Sequence, residues 1–415
     1  RVAPDEASWR PLVASGARTS PHVASALEGA WRAVMADALW WVGREPGQRL
    51  ATVWLLLLPS LALHVPARPT TDGVPPPLSH AARAAALLDG DFLAALADRN
   101  AGVWRPGVAP ARRAGGLRTP RVDAVPGRTA PTRLAPAQRR ALRQAAAGRL
   151  SAAARSLLSE PPAPQTGAVW FKARGLFPRA TPALATEGSV AAAFPDALRE
   201  AAAFGERHKA PPKVTREGVA AAIRGAPRGK APGPSGLRVE HLWALDAGGR
   251  DALVGVVLLL AGPGSARFPA CAAAAHAGTD LLLLAKPGGV GGDGLPGLRP
   301  IGMPETLRKL AASALAAAVR SAAAALFAPL QLGVGVSSPC ERILHEVRAH
   351  VAAHPHHAVV QLDYRNAFNL VARAAAAAVL GAALPVLLPY ITSVYGGDTG
   401  GAAPCVYGWA ADADA

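Results

Sequence analysis

Apolar residues recur at helical spacing through the N-terminal part of the chain. From Trp9 to about Leu96 they include six Trp or Phe side chains, placed as in the core of a small helical layer. The most apolar run, Leu50–Leu63, is 14 residues long and contains Pro59, whereas a membrane-spanning helix needs about 20 apolar residues. We therefore expect a helical region over residues 1–100, with Leu50–Leu63 as a buried helix.

The periodic pattern weakens in residues 101–194. Residues 101–136 are rich in Arg, Pro and Gly and carry few large apolar side chains, so they lack the apolar surface that would order them. Ala137–Leu158 has an Ala/Leu/Arg pattern with one basic face, which predicts a helix, and the prolines after it end that helix. This region is expected to be a linker that contains one helix.

Regular structure becomes denser from about Pro195. The run Thr279–Ala285 predicts a buried strand and Leu298–Ile301 a returning strand, joined by the Gly/Pro-rich loop Lys286–Gly297. The β-formers Val359, Val360 and Leu362 predict one further short buried strand. Apolar spacing predicts helices at Arg216–Arg224, Arg238–Leu245 and Thr306–Phe327, and Asp251–Ala261 is a further apolar segment. The expected fold class is helix-rich α+β.

Charge and cysteine content bear on partner and compartment. The formal net charge of +16 comes from 38 Arg and 6 Lys against 28 acidic residues. Clustered cations release counterions when they bind phosphate backbones, which favours a nucleic-acid partner; a coding bias towards Arg, Ala, Gly and Pro would give the same charge without one. The three cysteines form no C-x-x-C pair and no secretory leader is visible, so we expect an intracellular protein of the nucleus or cytoplasm, not secreted and without a membrane partner.

The segment Ala358–Arg373, AVVQLDYRNAFNLVAR, carries the strongest chemical signal. Its apolar run ends on Asp363, and Phe368 follows five residues later. A carboxylate at the end of a strand is an oxygen ligand of the kind Mg²⁺ takes together with substrate phosphates. Asn366 and Asn369 are two of only three asparagines in the chain, which marks the segment as unlike the rest.

Lys286 and Arg299 form a second signal, because they flank the predicted hairpin loop. A Lys point charge and a planar Arg fork there could close on a triphosphate; basic residues near a hairpin tip are also commonly just exposed.

Two other motifs in the sequence have simpler interpretations than a ligand site. Gly289-x-Gly291-x-x-Gly294 has dinucleotide-fingerprint spacing, but a nicotinamide site would require a helix starting near Leu295, where prolines stand instead. His350 and His354 are four residues apart, with His356 and His357 close by. A helix that ends in a turn at Pro355 explains this group, and a metal site is the alternative.

Five segments, taken in order, resemble the fingers and early palm of a reverse transcriptase of the non-LTR retrotransposon type. The likeness covers about residues 195–410, roughly half of the chain, and residues 1–194 have no such match. The segments are GKAPGPSGLRVEHL (229–242), LLLLAKPGG (281–289), LRPIGMPETLRKL (298–310), PLQLGVGV (329–336) and VVQLDYRNAFNLVAR (359–373).

The resemblance implies roles for residues at matching positions. Asp363 would be the first catalytic carboxylate and hold Mg²⁺, and Phe368 would lie under the sugar of the incoming nucleotide. The fingers would grip the triphosphate of a dNTP through Lys286 and Arg299. Contacts to an RNA template and a DNA primer would come from Lys230, Arg308, Lys309, Gln331 and Gly333.

The sequence also departs from the family. Two-metal phosphoryl transfer needs further carboxylates, which the family carries on an aromatic-x-Asp-Asp hairpin; that motif is not found in this sequence. We therefore expect residues 195–357 to be fingers-like, residues 358–415 to be a partial palm, and the protein to be truncated or inactive as an RNA-directed DNA polymerase. The alternative is a non-catalytic basic protein that binds nucleic acid.

Overall fold

The computed structural model describes residues 19–20, 22–64, 78–89, 136–146, 162–164, 166–177, 191–207, 213–364, 367–395 and 406–407. Residues 101–135 of the predicted linker, together with Trp9 and Phe92, lie outside these residues. The helix predicted at Ala137–Leu158 is described only as Pro136–Ala146.

The described residues form a helix-rich α+β protein, as the sequence predicts. The helices are α1 Ser25–Arg44, α2 Arg49–Leu63, α3 His80–Leu88, α4 Pro136–Ala146, α5 Gly167–Arg174, α6 Pro195–Arg207, α7 Arg216–Gly225, α8 Val239–Trp243, α9 Ala247–Ala261, α10 Ala270–Ala277, α11 Thr306–Phe327, α12 Pro339–Ala353, α13 Ala367–Leu370, α14 Arg373–Ala383 and α15 Leu388–Tyr395. Two 3₁₀ turns, Pro263–Arg267 and Pro385–Leu387, join neighbouring helices. The strands are β1 Thr279–Val290, β2 Pro296–Pro304 and β3 Val406–Tyr407.

The chain divides into two compact units. The first comprises residues 1–104, 174–281 and 302–407, and the second comprises 105–173, 282–301 and 408–415. The division runs through the β1–β2 hairpin, so its base belongs to the first unit and its outer part to the second.

In the N-terminal region, helices α1, α2 and α3 pack on one another. Apolar side chains of α2 are almost completely buried, as expected for Leu50–Leu63. Trp31 of α1 is 1% exposed, and its indole Nε1 donates a hydrogen bond to the carbonyl oxygen of His241 at 2.9 Å. This contact joins the layer to the segment that follows the 230–236 loop.

Helices α7, α9 and α11 share the main core of the first unit with α1 and α2. Local signals define their ends: the side chain of Thr215 accepts from Gly218 N at 3.1 Å at the start of α7, and Asp246 accepts from Gly249 N at 2.8 Å at the start of α9. Such side-chain caps satisfy backbone donors that a helix leaves free at its first turn. Helices α7 and α11 therefore lie close to their predicted bounds, and α9 covers the predicted apolar segment but begins four residues earlier, at Ala247.

Helix α11 has 22 residues and is the one described helix long and apolar enough to cross a membrane by length and composition. A buried core helix passes the same test, and side chains such as Leu307, Leu310 and Leu315 lie in the core of the first unit. Pro329 follows its end, as the sequence predicts.

The sheet has the order β2–β1–β3, with β3 parallel to β1 at Thr279 and Asp280. The predicted hairpin is present, but its strands are longer and its loop is shorter than predicted. Gly291 N donates to Leu295 O at 2.9 Å to close the turn, and β2 starts at Pro296. A strand therefore stands where a nicotinamide site would need a helix, and the dinucleotide interpretation is wrong.

The buried strand predicted at Val359, Val360 and Leu362 is not formed. Residues 358–364 have no regular secondary structure, and Val360 and Leu362 are 76% and 73% exposed. A strand is stable only beside a neighbour that completes its hydrogen bonds, and no described strand pairs with these residues. The prediction of a strand from local β preference is therefore wrong for these residues, and no partner strand lies in the described part of the chain.

Candidate nucleic-acid interface

The loop Lys230–Gly236 packs against the start of α11, and this contact organises the candidate site. The backbones are so close that a Cβ atom at Gly233 would lie 2.6 Å from the backbone nitrogen of Glu305. Gly236 has φ of +77°, a conformation that glycine adopts without the steric cost of a side chain. The glycines in KAPGPSG are therefore required by the path of the loop.

Polar contacts hold the loop in place. Ser235 donates twice to the Glu305 carboxylate, from its backbone nitrogen to Oε1 and from its hydroxyl to Oε2, both at 2.6 Å. The Thr306 hydroxyl donates to the carbonyl oxygen of Leu237. Lys309 Nζ donates to the carbonyl oxygen of Ala231 at 2.7 Å. These contacts connect two of the motif segments, residues 229–242 and 298–310.

Glu305 and Asp280 form an acidic pair, and burial raises the pKa of both carboxyl groups. Its side chain is 1% exposed, and burial raises its pKa to about 7, against the opposing effect of the hydrogen bonds from Ser235. Burial likewise raises the pKa of Asp280 to about 6, which the Lys309 charge opposes. Desolvation lowers the pKa of Lys309, while the carboxylate of Glu305 raises it. Lys309 therefore offsets negative charge inside the protein.

Basic groups also line the outside of the same loop. Lys230 is exposed, and Arg238 Nη1 donates to the carbonyl oxygen of Lys230 at 3.2 Å. Both cations lower the pKa of Lys309, so the three charges act on one another. Arg228 lies over the ring of Trp243 with 4.8 Å between its Cζ and the ring centroid. The buried inner side of the loop thus faces the acidic side chain of Glu305. Its outer side carries Lys230 and Arg238, which together form the basic rim.

In the second unit, the β1–β2 hairpin presents Lys286 and Arg299. Both residues are exposed, whereas Leu283 and Leu298 are buried. A Cβ atom at Gly297 would lie 3.4 Å from Cβ of Lys286, so these two positions are cross-strand neighbours. Because side chains alternate along a strand, Arg299 is on the same face as Gly297 and Lys286. The structure therefore brings the two predicted cations to one face.

The hairpin turn is anchored inside the second unit. Lys172 of α5 forms an ion pair with Asp293 at 2.7 Å and donates to the carbonyl oxygen of Leu295 at 3.3 Å. The Lys172 ammonium, acting mainly through its hydrogen bond, lowers the pKa of Asp293. These two contacts of Lys172 hold the hairpin turn, which lies between Lys286 and Arg299 in the sequence.

Arg308 has its contacts inside the first unit. Its Nη1 donates to the carbonyl oxygen of Ala277 at 2.6 Å and to the hydroxyl of Thr279 at 3.1 Å. It borders a small cavity beside His276, whose pKa is lowered to about 4 by burial and then by the Arg308 charge. These contacts are structural, and a template contact by Arg308 or Lys309 stays a prediction.

The remaining predicted residues are placed separately. Asp363 is exposed in the irregular segment 358–364. Phe368 belongs to the short helix α13, and its side chain lies outside the described part. Gln331 and Gly333 lie in an exposed loop after α11, where Gln331 Oε1 accepts from Gly333 N at 2.6 Å.

The sequence did not single out Glu305 or Ser235. The sequence signal for these residues is weak, because a glutamate just before a helix is common and is exposed as a rule. Glu305 is buried only because a loop 70 residues earlier in the sequence packs on it. The Gly/Pro content of KAPGPSG predicted a fixed path, but not the surface against which that path lies.

A scan against protein-family models, a search of curated proteins and a search of solved structures each find no match to this chain.

Proposed function

We propose that this chain is a reverse-transcriptase-like protein of retroelement origin that binds nucleic acid through its fingers-like region and does not polymerise DNA by itself. The observation that carries the proposal is the packing of segment 229–242 on segment 298–310, through Ser235 and Glu305. Two segments that resemble the fingers, far apart in sequence, share one compact site with a basic rim.

Two cationic surfaces support binding to a phosphate backbone. One is the loop rim with Lys230 and Arg238, and the other is the hairpin face with Lys286 and Arg299. Lys and Arg contacts to phosphates supply affinity without reading sequence. An RNA template paired with a DNA primer is the partner that the resemblance suggests.

The surroundings of Asp363 favour binding without catalysis. Its carboxylate sits on an exposed segment with no strand to fix it. Among the described residues, no group of three or more potential ligands includes Asp363. Since Mg²⁺ in polymerases is held by carboxylates together with substrate phosphates, this single carboxylate does not fit a preformed Mg²⁺ site, and the proposal contains no metal-dependent step.

The test is binding of the whole chain to a primer–template duplex across a salt series. Affinity should fall about 10³-fold or more between roughly 50 and 200 mM salt if six or more phosphates are contacted. The double variant Lys286→Gln/Arg299→Gln should reduce the slope of log affinity against log salt by about 2. The matched control is Arg342→Gln on α12, an exposed arginine paired with Glu346 at 2.9 Å, and it should leave the slope unchanged.

Salt-independent or undetectable binding would contradict the proposal. Template-dependent nucleotide incorporation with Mg²⁺ should be absent. Clear incorporation that is abolished by Asp363→Asn would overturn the non-polymerising part and leave the binding part intact.

A further inference from the structure

Three histidines, His350, His354 and His357, lie close together where helix α12 ends. His350 and His354 are four residues apart and so share one face of the helix end. Pro355 cannot continue the helix, and the turn that follows is closed by His357 N donating to the carbonyl oxygen of His354 at 3.0 Å. The predicted turn at Pro355 is confirmed, and it folds His357 back over the last helical turn.

The three imidazole rings are in mutual contact. Ring centroids lie 4.5 Å apart for His350 and His354, 4.8 Å for His354 and His357, and 5.2 Å for His350 and His357. One nitrogen of each ring lies within 4.8 Å of the others. Bond lengths of about 2.0–2.1 Å and a tetrahedral arrangement place two zinc-bound nitrogens somewhat more than 3 Å apart, so small rotations about the side-chain bonds would suffice.

The hydrogen bonds prepare the ring nitrogens for this role. His354 Nδ1 lies 3.1 Å from the carbonyl oxygen of His350, a pure acceptor, so Nδ1 carries the proton and Nε2 keeps its lone pair. A backbone carbonyl that fixes the tautomer in this way is a regular companion of a metal-binding histidine. His350 Nε2 and His357 Nδ1 face each other at 3.0 Å, and a metal ion would replace the proton between them.

We propose that His350, His354 and His357 form a binding site for a divalent transition-metal ion of the zinc type. Neutral imidazole is a good ligand for Zn²⁺, and all three rings are exposed, so the ion needs no opening of the fold. Three protein ligands leave a fourth position for water. The bound ion fixes the end of α12 to the turn, six residues before Asp363.

The site is independent of the proposed function. It uses none of the residues assigned to nucleic-acid binding, and Zn²⁺ takes nitrogen ligands where Mg²⁺ takes oxygen. A variant that loses Zn²⁺ binding should therefore keep nucleic-acid binding, and a variant that loses nucleic-acid binding should keep Zn²⁺ binding.

The test is titration of the whole metal-free chain with Zn²⁺ by calorimetry, with Co²⁺ absorption as a reporter of tetrahedral nitrogen ligands. One ion should bind per chain. The single variants His350→Ala, His354→Ala and His357→Ala should each weaken binding by about tenfold or more, the scale seen when the support of a metal site is removed.

Two histidines of the same segment provide matched controls. His345 lies on α12 and His356 in the turn, both exposed and neither in the group, so His345→Ala and His356→Ala should keep wild-type affinity. Far-UV circular dichroism of each variant should retain the helix content, which separates loss of a ligand from loss of fold. Absence of Zn²⁺ binding, or binding that survives all three cluster variants and is lost in Cys340→Ser, would overturn the proposal.

Discussion

The substitution Glu305→Gln should change how the stability of this protein depends on pH. Burial raises the pKa of Glu305 to about 7 from an ordinary value of 4.5. Between these values the folded protein holds a proton that the unfolded chain has released, so the free energy of unfolding falls as the pH rises. The contribution is complete below about pH 4.5 and is lost as the pH passes 7.

The size of the effect follows from the two pKa values. Each pH unit corresponds to about 1.4 kcal/mol, so a separation of about 2.5 gives roughly 3 kcal/mol in total. Buried histidines act in the opposite direction: the pKa values of His241 and His276 are both lowered to about 4, mainly by burial. The two histidines raise stability with pH up to about 6.5. Asp280, whose pKa burial raises to about 6, acts in the same direction as Glu305, so the two acids and the two histidines largely cancel between about pH 4.5 and 6 and the wild-type curve does not show Glu305 alone.

A comparison of variants isolates the contribution of Glu305 to the pH dependence of the free energy of unfolding. Urea unfolding of the wild type and Glu305→Gln at several pH values should show Glu305→Gln gaining about 2 to 3 kcal/mol relative to the wild type between pH 5 and pH 8, because glutamine stays neutral. The control Glu346→Gln removes an exposed carboxylate and should give a curve parallel to the wild type. If the curve of Glu305→Gln also ran parallel to that of the wild type, folding would not raise the pKa of Glu305, and the prediction would be refuted.

Two further predictions, each with a control substitution, test the packing. Gly233→Ala should destabilise the protein by about 1–3 kcal/mol, since its Cβ would meet backbone atoms at 2.6 Å, whereas Gly225→Ala has open space around it and should be neutral within about 0.5 kcal/mol in the same urea titration. Arg308→Ala should lower the free energy of unfolding by about 1–3 kcal/mol because it leaves the carbonyl oxygen of Ala277 without this donor. The exposed Arg320→Ala on the same helix should change it by less than about 0.5 kcal/mol; equal effects at both positions would contradict the structural role of Arg308.

The fold was predictable where the signals are local. Helix α11 has the predicted bounds because prolines stand on both sides of it, and α7 starts where Thr215 caps it. Buried helix α2 follows from its nearly continuous apolar run. The length of β1 was not predictable, since Gly288 and Gly289 continue the strand with φ of +122° and +85°, values that usually interrupt a strand.

The candidate site was predictable only in part. Alternation along two strands is a local property, so the common face of Lys286 and Arg299 follows once the hairpin is predicted. The burial of Glu305 is not local, because it depends on a loop 70 residues earlier in the sequence. The histidine group lies between these cases. Its spacing and the turn at Pro355 are visible in the sequence, but the hydrogen bond that sets the tautomer of His354 depends on a ring orientation that the sequence does not specify.

The contrast between Asp363 and the loop 230–236 has one physical cause. A strand at 359–362 needs a neighbouring strand for its backbone hydrogen bonds, and the described residues do not provide one. The loop at 230–236 finds its acceptors and donors within the same unit, at Glu305 and Lys309. The chemistry of Asp363 thus depends on a partner strand, whereas the basic rim depends only on contacts that are already made, and for this reason binding is better supported than polymerisation.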